Sequence, residues 1–278
     1  MNSDLERYVK EAKNGNLAAL DQLVKHIKDN IYGLAFRMLG HPEDAEDQTH
    51  EILIKVITHL SSFREESAFT TWVYRIACNH LISKQSKVKS ELTFESFGEL
   101  IANMTEQAPT LEASDPERSA LLEETRLSCL QAMLSCLDKE SRLIFILSES
   151  YGVTSQEGAL ILDITPDAYR ARLSRGKKLL QQFMDQRCGL INKNNSCQCH
   201  QPAAIRLQHQ SGVKSSISCS AQLSSKKGRA ELLAQLDEFE EIERVIAMFR
   251  LYPEYDSPDS FSHIVSNLME SGRYQVLN

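Results

Sequence analysis

Residues 154–178, TSQEGALILDITPDAYRARLSRGKK, hold two short helix patterns separated by a tight turn. Thr154 stands three residues before Glu157, the spacing of a capping box in which each side chain reaches the other residue's free backbone N–H. Ala159, Leu160 and Leu162 supply apolar positions before Asp163-Ile164 interrupts the pattern. Thr165 then offers a second N-cap, and Pro166 takes the first helical position, where its missing N–H costs nothing. Arg170, Arg172, Arg175, Lys177 and Lys178 follow on one continuous helix. A helix-turn-helix with a basic second helix is built to enter a DNA major groove.

Working outward, the chain reads as all-α, because no two strand-like segments are joined by hairpin signals. A first helix over 5–13 ends at Asn14-Gly15, and helical periodicity resumes from Leu17 to Leu39, where Gly40 reads as the stop. His41-Pro42 opens a helix running to about Leu60, and a polar loop over Ser61–Ala68 leads to a helix over Phe69–Ser86. Residues from Lys87 to about Ser119 lose periodicity, contain Pro109 and Pro116, and read as a mobile acidic linker. Leu127, Leu130, Leu134 and Leu137 restore a clean helical stripe, and Asp138 can cap the next helix. After Arg187 the composition turns to Cys, Ser, Asn, Gln and Lys, with an amphipathic helix over 230–250 and a shorter one over 260–271. The expected layout is a helical domain over 1–86, a flexible linker over 87–120, a second helical domain over 121–187, and a partly helical extension over 188–278.

The formal charge of −7 does not suit a nucleic-acid binder. Its distribution resolves part of this: residues 165–187 carry six Lys/Arg against two Asp, while 87–122 carry three Lys/Arg against seven Asp/Glu. The local field governs phosphate contact. An acidic total still argues against tight unaided binding, so a second partner should supply affinity. No apolar run approaches the length of a membrane span, and the N-terminus lacks a signal-peptide pattern. Seven cysteines without a disulfide framework suit a reducing cytoplasm.

Two further blocks carry chemistry. Pro42-Glu43-Asp44-Ala45-Glu46-Asp47, with Glu51 one turn on, places five carboxylates and no Lys or Arg in the first turns of a helix. Acid there complements the helix dipole, and that alone could account for it. Phe69-Thr70-Thr71-Trp72-Val73-Tyr74-Arg75-Ile76-Ala77, ending with Asn79, mixes a core stripe with a polar face. Trp72 falls on the apolar stripe and reads as core. Arg64, Thr70, Arg75 and Asn79 are the groups that unpaired bases need for stacking and edge contacts.

In this order the pieces resemble one family. Ile31–Ser86 resembles conserved region two of bacterial RNA polymerase sigma factors of the extracytoplasmic-function type, within the sigma-70 family. The carrying residues are Leu39-Gly40, the Pro42-to-Asp47 run, Glu51 and the Phe69-to-Asn79 block. Leu137–Leu180 resembles region four, through Arg142, Glu157, Ala159, Leu162, Ile164 and the Arg170-to-Leu179 helix. Gly158, Asp163 and Asp138 depart from the family pattern, standing for a larger apolar residue, a turn glycine and a proline.

The resemblance implies that Asp44, Glu46, Asp47 and Glu51 dock on core RNA polymerase. It implies that Arg64, Thr70, Arg75 and Asn79 hold the unpaired minus-ten element of promoter DNA, where splayed bases need pockets. Asp167 and Arg170 would then lie near base edges of the minus-thirty-five duplex, with Arg172, Arg175, Lys177 and Lys178 on phosphates. The linker would thread toward the polymerase active channel. No catalytic constellation is present, and no enzymatic activity and no required cofactor are expected. A plain helix-turn-helix regulator would leave the Pro42-to-Asp47 and Phe69-to-Asn79 blocks without a purpose, and a metal- or thiol-sensing protein is the other competing reading.

In the extension, Cys188, Cys197, Cys199 and His200 lie within thirteen residues, with His209 and Cys219 beyond. Thiolates and imidazole suit zinc, but Cys-x-Cys-His lacks the usual ligand gap, and a tail with incidental cysteines stands beside the metal reading. The extension also resembles, more loosely, that of some sigma factors of this group, which implies intramolecular regulation or the work of a separate anti-sigma factor. Cys78, Cys129 and Cys136 fall on helices and read as ordinary buried thiols.

Overall fold

The computed structural model describes residues 2–83, 92–107, 115–209, 241–250 and 255–271. These fall into two compact units: Met1–Gln85 with Thr154–Pro166 and Glu254–Asn278, and Ser86–Val153 with Asp167–Pro253. Among the described residues the chain is helical and holds no strand, only an isolated parallel bridge between Cys188 and Cys197. Residues 230–240 of the expected 230–250 helix, and Cys219, lie outside the described residues.

In the first unit, α1 (Asn2–Lys13), α2 (Leu17–Leu39), α3 (Pro42–Thr58) and α4 (Phe69–Ser83) pack around one core. Asn16 caps α2, its side chain accepting from the N–H groups of Ala18 and Ala19. Gly40 closes α2 at φ 77°, a left-handed conformation that glycine adopts without strain. Pro42 opens α3 at once. Leu20, Leu23, Ile31, Leu34, Ile52, Leu53, Ile57 and Leu60 are essentially excluded from solvent. With Ile27 between Leu23 and Ile31, the α2 positions recur every three or four residues, and Ile52, Leu53 and Ile57 of α3 join the same core.

One polar group sits inside the α3/α4 seam. His80, 2% exposed, receives a bond from Lys55 Nζ at its Nδ1 (2.7 Å) and meets Gln48 Oε1 through Nε2 (2.8 Å). An ammonium only donates, so Nδ1 must accept and Nε2 must carry the proton that Gln48 receives.

The same unit holds α8 (Ser155–Leu162), which packs on α4, and the end of the chain. The capping box at Thr154 and Glu157 is present, with Thr154 N–H donating to Glu157 at 2.9 Å.

The second unit is built on α6 (Asp115–Ser135), α7 (Lys139–Tyr151) and α9 (Pro166–Arg187). Asp138 caps α7 through the Ser141 N–H at 2.9 Å. Arg142 donates to the carbonyls of Ser135 (2.7 Å) and Leu137 (2.9 Å), satisfying acceptors that the end of α6 leaves open. Tyr169 is wholly buried, its hydroxyl between Ser148 Oγ (2.8 Å) and the Ile144 carbonyl (3.3 Å).

The expected linker differs from its reading. It contains α5 (Phe94–Gln107), whose Phe94 and Phe97 rings lie 5.3 and 5.5 Å from Phe183 on α9. The extension likewise gains α10 (His200–His209), which packs on α5 and α6. Then α11 (Glu241–Arg250) sets Phe249 edge-on to Phe145 of α7 at 5.0 Å. A 3-10 turn over Asp259–His263 and α12 (Ile264–Ser271) lie in the first unit, close to the expected 260–271.

Candidate nucleic-acid interface

On α4, Thr71, Arg75 and Asn79 fall four residues apart and so share one face. Arg75 and Asn79 are exposed, as are Arg64 and Thr70. Behind them Phe63, Phe69 and Trp72 form an aromatic cluster, with Trp72 5.3 Å from Phe63 and stacked on Phe69 at 5.8 Å. Trp72 is thus half core and half surface. Arg64, Thr71, Trp72 and Arg75 line a shallow cleft of about 250 Å³, closed on one side by Leu160 of α8. That is smaller than the roughly 300–1,000 Å³ of sites for drug-sized ligands. An aromatic floor with guanidinium groups at the rim suits a flat, stackable group beside an anion.

The loop leading to this cleft is pinned from below. Lys13 donates to the Phe63 carbonyl at 2.8 Å and pairs with Glu65 at 3.7 Å. Glu65 takes φ 60°, a conformation that costs a non-glycine residue free energy and that clusters at binding sites. Neighbouring Arg64 carries no ion pair among the described residues.

Of the acidic run, Asp47 is exposed, and Asp44, Glu46 and Glu51 are half-buried. Glu51 stands 3.7 Å from His80 Nε2, and Glu46 accepts a bond from Ser260 Oγ at 2.7 Å. These two carboxylates are therefore already engaged within the chain.

On α9, Tyr169, Gly176, Leu180, Phe183 and Met184 face the core. The basic residues divide by partner. Arg170 pairs with Asp167, Arg172 with Glu140, and Lys177 with the buried Glu149 at 2.5 Å. Arg250 of α11 shares that carboxylate at 2.8 Å. Arg175 and Lys178 are exposed and have no ion pair among the described residues.

The thiols of the extension gather in the second unit, but not as expected. Cys188, Cys197 and Cys199 come together beside Cys129 of α6, close enough for their charges to be felt at Cys129. His200 starts α10 and is exposed, outside the group. Among the described residues no group of three or more His, Cys, Asp or Glu is placed to hold a metal ion, so the expected Cys188, Cys197, Cys199, His200 set finds no support there. The spacing within 188–200 missed Cys129 because that residue enters from a helix some sixty positions earlier.

Burial pushes the Cys129 thiol well above its ordinary value, with the neighbouring thiols adding to the shift. Burial likewise raises Cys197 to about 12. Cys188 and Cys199 are raised by burial and partly drawn back, the first by the backbone N–H groups of Leu190 and Ile191, the second by the Arg126 guanidinium. Gly189 lets the strands of this loop approach: a Cβ there would stand 2.6 Å from the Cys197 carbonyl oxygen.

Residues 23–90 match sigma-70 region 2, and residues 127–180 match sigma-70 region 4. The chain is 30% identical to the ECF RNA polymerase sigma factor SigW of Bacillus subtilis over 180 residues, 64% of this chain and 95% of that protein. It is 30% identical to the ECF RNA polymerase sigma-E factor of Escherichia coli K12 over 183 residues, 62% of this chain and 90% of that one. Against the ECF sigma factor SigE of Mycolicibacterium smegmatis it is 28% identical, over 61% of this chain and 64% of that relative's length. Among solved structures, CnrH in complex with the cytosolic domain of CnrY matches with a TM-score of 0.48 and 22% identity, over 66% of this chain and 97% of that one.

A helical region 2 followed by a helix-turn-helix region 4 defines the sigma-70 family of bacterial RNA polymerase sigma factors, and this chain belongs to it. Within the family it is a member of the extracytoplasmic-function group, and its function is promoter recognition in transcription initiation. No helix among the described residues is long and apolar enough to cross a membrane.

Proposed function

We propose that the two regions divide the work of a promoter-specificity factor between three surfaces. The acidic face of α3, with Asp44, Glu46, Asp47 and Glu51, docks on a basic surface of core RNA polymerase, where charge complementarity steers association. The cleft at Arg64, Thr71, Trp72 and Arg75, with Thr70 and Asn79 beside it, takes bases of the minus-ten element as the duplex opens. The start of α9, at Asp167 and Arg170, faces base edges of the minus-thirty-five element, while Arg175 and Lys178 hold phosphates. Arg172 and Lys177 act through their acid partners, Glu140 and Glu149, which fix the register of α9. The protein works in the cytoplasm, needs no cofactor, and contributes no catalysis of its own.

The observation that carries the minus-ten assignment is the aromatic-floored cleft rimmed by Arg64 and Arg75. The test is promoter opening by reconstituted holoenzyme, read by permanganate reactivity of unpaired thymines. Arg75→Ala should cut opening by about tenfold or more, given roughly 1–3 kcal/mol per stacked base contact, while leaving core-polymerase binding intact. Undiminished opening would remove α4 from the assignment.

A further inference from the structure

The segment Tyr255–Ser271 lies along α2 and reaches the acidic face of α3 assigned above to core polymerase. Tyr255 is 5% exposed and its ring lies 4.6 Å from Phe36 of α2, with the Arg37 guanidinium 5.0 Å from the Tyr255 ring centre. Phe261 is 1% exposed and lies 6.5 Å from Tyr32. Ile264, Val265 and Leu268 are buried as well, and α12 packs on both α2 and α3.

Polar contacts fix the register. Ser257 donates to Asp29 Oδ1 from its backbone (3.0 Å) and from its hydroxyl (2.6 Å), and Lys28 donates to Ser257 Oγ at 2.7 Å. Ser260 Oγ donates to Glu46 at 2.7 Å. Glu46 belongs to the acidic run, so its carboxylate cannot receive a polymerase cation in full while it accepts from Ser260.

We infer that Tyr255–Ser271, seated on α2 and α3, is a built-in competitor for the polymerase-docking face of α3, holding the factor closed until core polymerase displaces it. The inference rests on the assignment of that face to core polymerase. Residues 255–271 carry three carboxylates and no Lys or Arg, so charge does not hold them against an acidic helix. Apolar burial and neutral serine donors do. Ser260 brings only a neutral hydroxyl to the Glu46 carboxylate, whereas an ammonium or guanidinium adds the attraction of a full opposite charge. An Arg or Lys of the polymerase therefore outcompetes Ser260 at Glu46 once it arrives. The segment sets a threshold on association, because apparent affinity falls by the fraction of chains that are open.

The test compares the full chain with the double variant Ser257→Asp/Phe261→Glu, which sets a second carboxylate against Asp29 and a charge in the apolar seat. Neither residue belongs to the proposed docking or DNA-binding groups. Affinity for purified core RNA polymerase is measured by fluorescence anisotropy, and seating of the tail by hydrogen exchange along α2. The double variant should expose α2 to exchange and bind core polymerase about tenfold or more tightly than the unaltered chain. Ser257→Ala, a milder change, should give about two- to tenfold, the worth of one net hydrogen bond. Equal affinities, with exchange at α2 raised or unchanged, overturn the competitor. If neither chain binds core polymerase, the docking assignment itself falls, and the competitor with it.

Discussion

Asp163 takes φ 56°, ψ 47° at the end of α8, a left-handed conformation that L-residues enter at a cost and that Asp tolerates better than most. It occupies the turn where the resemblance to sigma region four leads one to expect glycine. The turn survives the departure because the geometry is set by the capped helix before it and by Pro166 after it, and Asp only pays a strain that Gly avoids. Asp163→Gly should raise stability by up to about 1 kcal/mol, the relief of strain less the added freedom of the unfolded chain. Asp163→Val should lower it by about 1 kcal/mol or more, since a β-branched residue fits this region worst. Urea denaturation of the three proteins checks the order Gly, Asp, Val, and any other order would refute the strain account.

The helix α9 shows how an element can be basic in sequence and only partly basic in effect. Glu140, Glu149 and Asp167 claim Arg172, Lys177 and Arg170. Lys177 and Arg250 both close on Glu149, whose side chain is 4% exposed, so that carboxylate is neutralised from two sides as a buried charge must be. The exposed remainder is Arg175 and Lys178. Each should contribute about one unit to the dependence of log K for promoter DNA on log salt. Replacing either by Ala should weaken holoenzyme binding on all promoters alike and reduce that slope by about one. Replacing Arg172 should instead act through the seating of α9, and a slope change from Arg172→Ala equal to that from Arg175→Ala would contradict the division.

For the chain taken together, the extension is part of the packing in both units. Its contact with α2 carries a sign for pH. Burial of Asp29 works to raise its carboxyl pKa, but bonds from Ser257 and Lys28 outweigh this and hold it below its ordinary 3.8. A depressed carboxyl stabilises the seated state above the ordinary value, and that contribution is lost as pH falls through the depressed one. Protection of α2 against hydrogen exchange, taken relative to intrinsic amide exchange at each pH, should therefore be insensitive to this group between about pH 5 and 8 and should fall below 3.8. Asp29→Asn should remove the acid response. Persistence of the response in that variant would assign it to another carboxylate.

Most helix positions, several caps and the two-region order were legible in the residues themselves, while α5 and α10 were not. Gly40, Pro42, Asp138, Thr154 and Pro166 act within four positions of where they stand, through backbone groups that every helix end leaves open, so their effect is written locally. The acidic start of α3 and the Arg75/Asn79 face of α4 were readable for the same reason. Three features were not. Phe94 and Phe97 look like stray aromatics in an acidic stretch until Phe183 supplies the other half of their contact. Cys129 joins three thiols that the local spacing grouped with His200. Tyr255 and Phe261 cover Tyr32 and Phe36, more than two hundred positions away. Each of these depends on which apolar faces meet after loops of very different lengths have closed, and closing a longer loop costs only logarithmically more. Periodicity declares that a face wants cover; packing alone selects what covers it.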